Sequence, residues 1–342
     1  MSVHIIQADA RRLPFADNSV DLIVTSPPYF GLRSYTDGGE HYDGQIGAEA
    51  TPAAYVDALI ECTREWMRVL KPEGSLWVNL GDSYYSGKGS PGRTTVDAKS
   101  SARTDRRERR SPLDYGLPYP RKTLLGIPWR YALRCLDELG LTIRAEVIWS
   151  KPNALPESVT DRVRRSHEQW FHLVQQPRYF SALDEIREEH QAPTRSPGKN
   201  CFGGRDSNLP RSATGEWSAV NPLGKIPGSV WEIATQPLKT PAALGIDHHA
   251  AFPLEWPRRF IAAWCPPEGV VLDPFGGTGT TALTADVLGR HGISVDMSAD
   301  YCRLAAWRAT DPGERARAMQ VPKPDPVLEG QTTLFDMEAT RG

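Results

Sequence analysis

The sequence predicts an α/β protein with a doubly wound sheet, and three observations carry that reading. Val20-Asp21-Leu22-Ile23-Val24-Thr25 is a short, nearly continuous apolar run, the pattern of a central strand covered on both faces. Residues 52–70 then show helical periodicity before another apolar strand begins. From Val270 onward a strand, a Gly-rich loop, a helix, a second strand and a second helix follow in order, the unit from which doubly wound sheets are assembled.

Taken in order, the elements justify themselves locally. His4-Ile5-Ile6-Gln7 forms a first strand that leads to Asp9, and Val20 to Thr25 forms the second. The helix starting at Pro52 places Tyr55, Leu59, Cys62, Trp66, Val69 and Leu70 on one face and stops at Lys71-Pro72-Glu73-Gly74. Ser75 to Leu80 is the next strand. Residues 83–112 lack apolar periodicity and read as a mobile loop. A helix from about Pro128 to Leu139 precedes strands near Ile143–Trp149 and Trp170–Gln175. Residues 188–246 are rich in Pro, Gly and Asn and read as an irregular insertion outside the sheet. A helix from about Leu254 to Trp264, the strand Val270–Asp273, a helix to about Leu288, the strand Gly292–Asp296 and the helix Ala299–Ala309 complete the order. After Thr310 the chain turns polar and proline-rich, so a loose tail is expected.

Composition narrows the function classes. A hydrophobic share of 39% and a charged share of 24% over 342 residues fit an ordinary globular protein. No run approaches the length of a membrane span and the opening residues do not read as a signal peptide, so a cytoplasmic location is expected. The five cysteines are widely spaced with no C-x-x-C, and His248-His249 lacks a ligand at metal spacing, so neither disulfides nor a metal site is expected. The net charge of −2 does not advertise nucleic-acid binding, but its distribution does. Residues 83–112 hold eight basic side chains against three acidic ones, a net of +5, with Arg103, Arg106, Arg107, Arg109 and Arg110 as candidate phosphate contacts. A solvated charge run is the plain alternative.

Two strings carry chemistry. In Asp273-Pro274-Phe275-Gly276-Gly277-Thr278-Gly279-Thr280-Thr281 the glycines let backbone approach a ligand at the carboxyl end of the sheet. No Lys follows them, so this is not a P-loop. Asp296, at the end of the following strand, is placed to bond the hydroxyls of a ribose. Alone, the string fits equally a glycine turn that only tightens strand–helix packing. In Thr25-Ser26-Pro27-Pro28-Tyr29 the two prolines remove two N–H donors and leave carbonyl acceptors. Ser26 adds a hydroxyl and Tyr29 a ring, a combination suited to a planar base that carries an amino group. A proline turn with a satisfied tyrosine is the alternative for that string alone.

Together the S-P-P-Y string and the D-P-F-x-G-x-G-T string resemble the catalytic and cofactor motifs of DNA amino-methyltransferases. Their order, with S-P-P-Y first and the glycine loop about 245 residues later, resembles the permuted β class of that family. Leu76 to Asp82 is similar to the strand that walls the target-base pocket, and Trp149-Ser150-Lys151-Pro152-Asn153 with Ser166-His167-Glu168 is similar to the family's W-x-K-x-N…S-H-E pattern. His248 to Pro253 is similar to its H-x-A-x-F-P element.

The resemblance implies a seven-stranded Rossmann-like methyltransferase sheet and S-adenosylmethionine as cofactor. It implies cofactor contacts from Asp9, Phe252, Asp273, Phe275, Gly277, Gly279, Thr280 and Asp296, and catalytic roles for Ser26, Pro27, Pro28 and Tyr29. Residues 1–82 and 113–187 would form the catalytic half, 83–112 a basic loop, 188–246 a target-recognition insertion, 247–310 the cofactor half and 311–342 a flexible tail. The implied reaction is methyl transfer to an exocyclic amine of a base flipped from double-stranded DNA. The initial Ser resembles the cytosine-N4 branch more than the adenine-N6 branch. The Ser26 hydroxyl and the Pro27 carbonyl would accept both amine N–H bonds, and Tyr29 would stack on the base. Cytosine-C5 chemistry needs a cysteine after a proline, and Cys265-Pro266 has the reverse order.

Protein-glutamine and RNA adenine methyltransferases use N-P-P-Y strings but place the glycine motif first, and a DNA-binding protein with a dead catalytic fold would not need the strings intact. A cognate restriction endonuclease is one expected partner. Gln331-Thr332-Thr333-Leu334-Phe335 resembles the peptide by which bacterial proteins bind the sliding clamp, with docking on the enzyme's own surface or on a dimer partner as the plainer expectation.

Overall fold

The computed structural model describes residues 2–31, 36–37, 40–41, 44–85, 117–190, 221–238, 240–241, 244–246 and 251–322. Strands β1 (Val3–Gln7), β2 (Val20–Thr25), β5 (Leu70–Leu80), β6 (Thr142–Ser150), β7 (His167–Val174), β8 (Val230–Glu232), β9 (Val270–Asp273) and β10 (His291–Asp296) form one sheet. A separate two-stranded ribbon joins β3 (Thr36–Asp37) to β4 (Glu40–His41). The sheet order is β1-β10-β9-β2-β5-β7-β6-β8. Only β7 runs against its neighbours β5 and β6, while β8 lies parallel to β6.

The helices lie on both faces. Helix α1 (Pro52–Val69) begins where the Thr51 hydroxyl accepts the Ala54 N–H and Pro52 occupies the first turn, where no N–H is needed. It buries Tyr55, Leu59, Cys62, Trp66 and Val69, the stripe read from the sequence, beside α2 (Ile127–Leu139). On the opposite face α3 (Glu255–Trp264) packs Trp256, Phe260 and Trp264 against Trp77, Trp170 and Trp231. Trp77 lies between the imidazole of His172 at 4.5 Å and the ring of Phe260 at 4.1 Å, both nearly parallel to it. Burial of such rings gives this face of the sheet its main apolar contribution. Helices α4 (Thr280–Val287), α5 (Ala299–Thr310) and α6 (Pro312–Met319) close the end of the sheet that carries β9, β10 and β1.

Two expectations need correction. The sheet has eight strands, one more than the seven expected, because Val230–Glu232 leaves the segment read as irregular and joins β6. Three residues shortly after Pro227-Gly228 are too few to give a periodicity. Trp231 stacks on Trp256 at 5.1 Å, and that tertiary contact holds β8 in the sheet. Residues 312–319, read as part of a loose tail, form a helix instead. Asp311 caps α6 by accepting the Glu314 N–H, Pro312 follows it, and Arg308–Glu314 and Arg315–Asp286 ion pairs fasten the helix to the body. The polar composition conceals a buried Ala316 and Ala318.

The chain leaves β2 for β5 on one side of the sheet and β9 for β10 on the other, so the β2–β9 boundary is a topological switch point. A crevice opens there at the carboxyl ends of the strands, the place where such sheets bind ligands. The antiparallel β7 contributes its amino end to that same edge.

Candidate active site

One cleft of about 720 Å³ occupies this edge, within the ~300–1,000 Å³ usual for small-molecule sites. It collects Asp9 after β1, Ser26 to Tyr29 after β2, Asn79, Gly81 and Asp82 at the end of β5, Lys151 after β6, Glu168 at the start of β7, Pro274 to Thr278 after β9 and Asp296 from β10. The two strings, far apart in sequence, thus face each other across one cavity. The switch point itself is pinned by the Thr25 hydroxyl, which donates to Asp273 at 2.8 Å.

The S-P-P-Y half is tied to β5 and β7. The Ser26 hydroxyl donates to Asn79 Oδ1 at 3.3 Å, and the Tyr29 hydroxyl lies 2.6 Å from the same oxygen and 2.7 Å from Glu168 Oε2. Asn79 cannot flip without loss, because its Nδ2 donates to the Gln169 carbonyl at 3.1 Å. Burial, and then the Glu168 carboxylate, push the Tyr29 phenol well above its usual range, so it stays a donor. Its ring presses on Gly81, where a Cβ would stand 2.5 Å from Tyr29 Cε2. The Pro28 carbonyl accepts the Tyr55 hydroxyl at 2.8 Å, which anchors the proline pair to α1. Glu168 also pairs with Lys151, whose ammonium sits 4.1 Å from the Trp149 ring centre. Asp82 accepts the N–H groups of Gly126 and Ile127 at the start of α2, and so holds the strand end on which Gly81 sits.

The glycine half is shaped by close packing. At Gly276 a Cβ would lie 1.9 Å from Ser294 Oγ, so only glycine lets the loop rest on β10. Asp296 accepts the Gly277 N–H and the Ser298 N–H, both at 2.9 Å. Asp9 accepts Arg11 Nη2 at 2.7 Å and the Arg11 N–H at 2.9 Å. Burial opposes ionisation of Asp9, but the bonds and charge of Arg11 outweigh it and hold the carboxyl below its ordinary range. Phe275 lines the cleft, and its ring meets Trp66 edge-on at 5.9 Å. Phe252 lines the same cleft and packs edge-on against Trp170 at 5.7 Å.

Ser26, Pro27, Pro28, Tyr29, Asp9, Phe252, Phe275, Gly277, Thr280 and Asp296 all line this cavity. Asp273 and Gly279 do not. Asp273 is 1% exposed and accepts Thr25, Thr281 and the Phe275 N–H, and burial pushes its pKa up to about 6. It supports the loop from beneath. Gly279 caps α4 in a left-handed conformation, with a would-be Cβ 2.8 Å from Ala305. Arg308, itself buried, braces the loop by donating to Thr278 and Thr280 at 2.8 Å.

Asn79, Glu168 and Lys151 were not among the residues the sequence singled out. Their strings were visible, but no local signal pairs Glu168 with Tyr29, 139 residues away. The candidate phosphate contacts Arg103 to Arg110 and the Gln331–Phe335 string lie outside the described residues, as do His248 and His249. Among the described residues no cluster of three potential metal ligands occurs, and no described helix is long and apolar enough to cross a membrane.

The sequence and the fold have counterparts among known proteins. A family described as DNA methylase, of N6/N4 methyltransferases, matches residues 20–306. The type II methyltransferase M.SmaI of Serratia marcescens is 36% identical over 309 residues, 90% of this chain and 90% of the relative. The type II methyltransferase M.Cfr9I of Citrobacter freundii is 36% identical over 303 residues, 87% of this chain and 83% of the relative. Among solved structures, the PvuII DNA methyltransferase (cytosine-N4-specific) shares the fold with a TM-score of 0.60 at 19% identity, covering 94% of both chains. A structure from Thermus thermophilus complexed with S-adenosyl-L-methionine has a TM-score of 0.51 at 23% identity, covering 96% of this chain and 99% of the other.

The donor set of the cleft fits S-adenosylmethionine: two carboxylates end the adjacent strands β1 and β10, and the Phe275 ring and bare glycine backbone lie beside them. The chain belongs to the N6/N4 DNA methylase family, and its cofactor is S-adenosylmethionine.

Proposed function

We propose that this DNA methyltransferase acts on N4 of cytosine in a specific duplex sequence, with the target base flipped into the cleft. The observation that carries the reading is the Ser26 hydroxyl at the head of the S-P-P-Y string, donating to Asn79 Oδ1. A serine hydroxyl that donates its one proton to a neighbour still has oxygen lone pairs, and at the cleft edge these can accept an amine N–H. The Pro27 carbonyl accepts the second. An exocyclic amine held this way is drawn from planar toward tetrahedral geometry, and its lone pair is localised for attack.

S-adenosylmethionine supplies a methyl group already electrophilic on its sulfonium. The protein's part is orientation and exclusion of water. Tyr29 presents its ring to the extruded base, a contact worth ~1–3 kcal/mol against an unpairing cost of a few kcal/mol. Asp9 and Asp296 would hold the nucleoside end of the cofactor, and Phe275 and Phe252 would pack on its apolar surfaces. The cytosine-N4 specificity of the PvuII enzyme and the type II methyltransferases among the relatives support the same reading.

The test is mass spectrometry of nucleosides from DNA methylated by the purified chain. N4-methylcytosine is the expected product. N6-methyladenine alone would overturn the base assignment and leave the family in place. Methylation-aware sequencing of an expressing host's genome supplies the recognised motif.

A further inference from the structure

The loop of residues 151–166, between β6 and β7, forms one lip of the cleft. At this lip Leu155 is 85% exposed. Single exposed leucines are ordinary and carry no meaning by themselves. Two features set this one apart.

The first is its mounting. Asn153 clamps the loop to the segment after β8: its Nδ2 donates to the Thr235 carbonyl at 3.0 Å, and its Oδ1 accepts the Thr235 N–H at 2.9 Å. The Ala154 N–H closes a turn onto Lys151 at 3.1 Å, and Arg164 donates to the Ala154 carbonyl at 3.0 Å. Pro156 fixes the backbone on the other side of Leu155. An apolar side chain on a fastened turn loses little further backbone entropy on binding, whereas one on a loose tip loses much more.

The second is its position. Leu155 borders the cavity whose floor holds Ser26 and Tyr29. The loop carries Lys151, Arg162, Arg164 and Arg165 against Glu157 and Asp161, a net of +2 that suits a polyanion. DNA-bending and base-extruding proteins insert leucine-like wedges between base steps, and an extruded base leaves a gap that water fills poorly.

We infer that Leu155, presented by the Asn153–Thr235 clamp at the lip of the base pocket, enters the duplex stack in the place of the extruded nucleotide. The inference rests on the methyl-transfer reading above and adds to it the side chain that holds the base out. Arg164 braces the wedge from behind through Ala154.

The test uses the full chain, tritiated S-adenosylmethionine and two duplexes carrying the motif mapped in the expressing host. In one duplex the target base is paired, and in the other it faces an abasic site. Single-turnover rates are measured for the parent, Leu155→Ala and Leu155→Met. Leu155→Ala should lose at least about tenfold on the paired duplex and recover to within about threefold of the parent on the abasic one, where extrusion needs little help. Leu155→Met should track the parent on both. A full rate for Leu155→Ala on paired DNA overturns the wedge, and so does an equal loss on both duplexes. A lowered Tm of Leu155→Ala without DNA does the same, since it shows that the side chain packs inside the protein. If the parent transfers no methyl to either duplex, the functional reading itself has failed, a result distinct from any pattern among the variants.

Discussion

The Tyr29 hydroxyl lies 2.6 Å from Asn79 Oδ1, the oxygen that also accepts from Ser26. One amide at the end of β5 therefore orients both polar groups of the S-P-P-Y string. Asn79→Ala should lower kcat by about two orders of magnitude, the scale of losing an oriented polar group at a reacting centre. Its dissociation constant for S-adenosylmethionine, measured by calorimetry, should stay near the parent value. A parallel loss of cofactor affinity would show that Asn79 supports the whole cleft and does not act through Ser26 and Tyr29.

Tyr29 joins a ring face to an anchored hydroxyl, and two variants separate them. Tyr29→Phe keeps the face but leaves Asn79 and Glu168 without the phenol, so a loss of about tenfold in kcat/KM is expected. Tyr29→Ala removes both, with a loss of roughly a hundredfold or more. Equal rates for the two variants in a methyl-transfer assay would leave the ring face without a role.

Gly81 sets the plane of that ring. A Cβ there would come within 2.5 Å of Tyr29 Cε2, and the ring cannot swing away while its hydroxyl is held at both Asn79 and Glu168. Gly81→Ala should therefore depress kcat in the parent yet add almost nothing to Tyr29→Ala. Rates that simply multiply in the double variant would place the damage elsewhere.

The glycine loop gives a rescue experiment. Gly276→Ala drives a methyl into Ser294, with Oγ at 1.9 Å and Cβ at 2.9 Å, and should weaken S-adenosylmethionine binding by at least about tenfold. Ser294→Gly in the same chain removes both atoms and should restore most of that affinity by calorimetry. No recovery would refute close packing as the cause.

His172 makes acid stability testable. Burial, and then the charge of Arg144, lower its pKa from 6.5 to about 3, while its Nε2 meets Ser75 Oγ at 2.9 Å. The unfolded chain binds this proton first as pH falls, so the contribution is complete above about pH 6.5 and is lost progressively toward pH 3. At pH 5 the loss is about 2 kcal/mol. Asp273 acts in the opposite sense: burial raises its pKa from 3.8 to about 6, the folded state binds its proton first, and roughly 1 kcal/mol is returned at pH 5. His172→Gln should thus lose about 2 kcal/mol less between pH 7 and pH 5 than the parent, read from urea midpoints at the two pH values. Identical slopes for both proteins would remove His172 as a source of acid lability.

What the sequence by itself determined is what short stretches of chain decide. The apolar run of β2, the helical stripe of α1 and the β-loop-α-β order of residues 270–310 stand almost where periodicity placed them, because burial of one face acts residue by residue. Pro27 and Pro28 remove their own N–H donors in any context, and a run of glycines before a helix bares its backbone whatever surrounds it. Only the tertiary structure decided which distant groups meet. Strand order put Asn79 beside Ser26 and Tyr29, and the reversal of β7 brought Glu168 to the cleft edge instead of the far side of the sheet. It also withdrew Asp273 and Gly279 from the cleft surface, took β8 into the sheet through Trp231 and Trp256, and folded α6 onto Asp286 through Arg315. Those outcomes depend on contacts between residues tens to hundreds of positions apart, and nothing in the residues' own neighbourhoods in the chain distinguishes one distant partner from another.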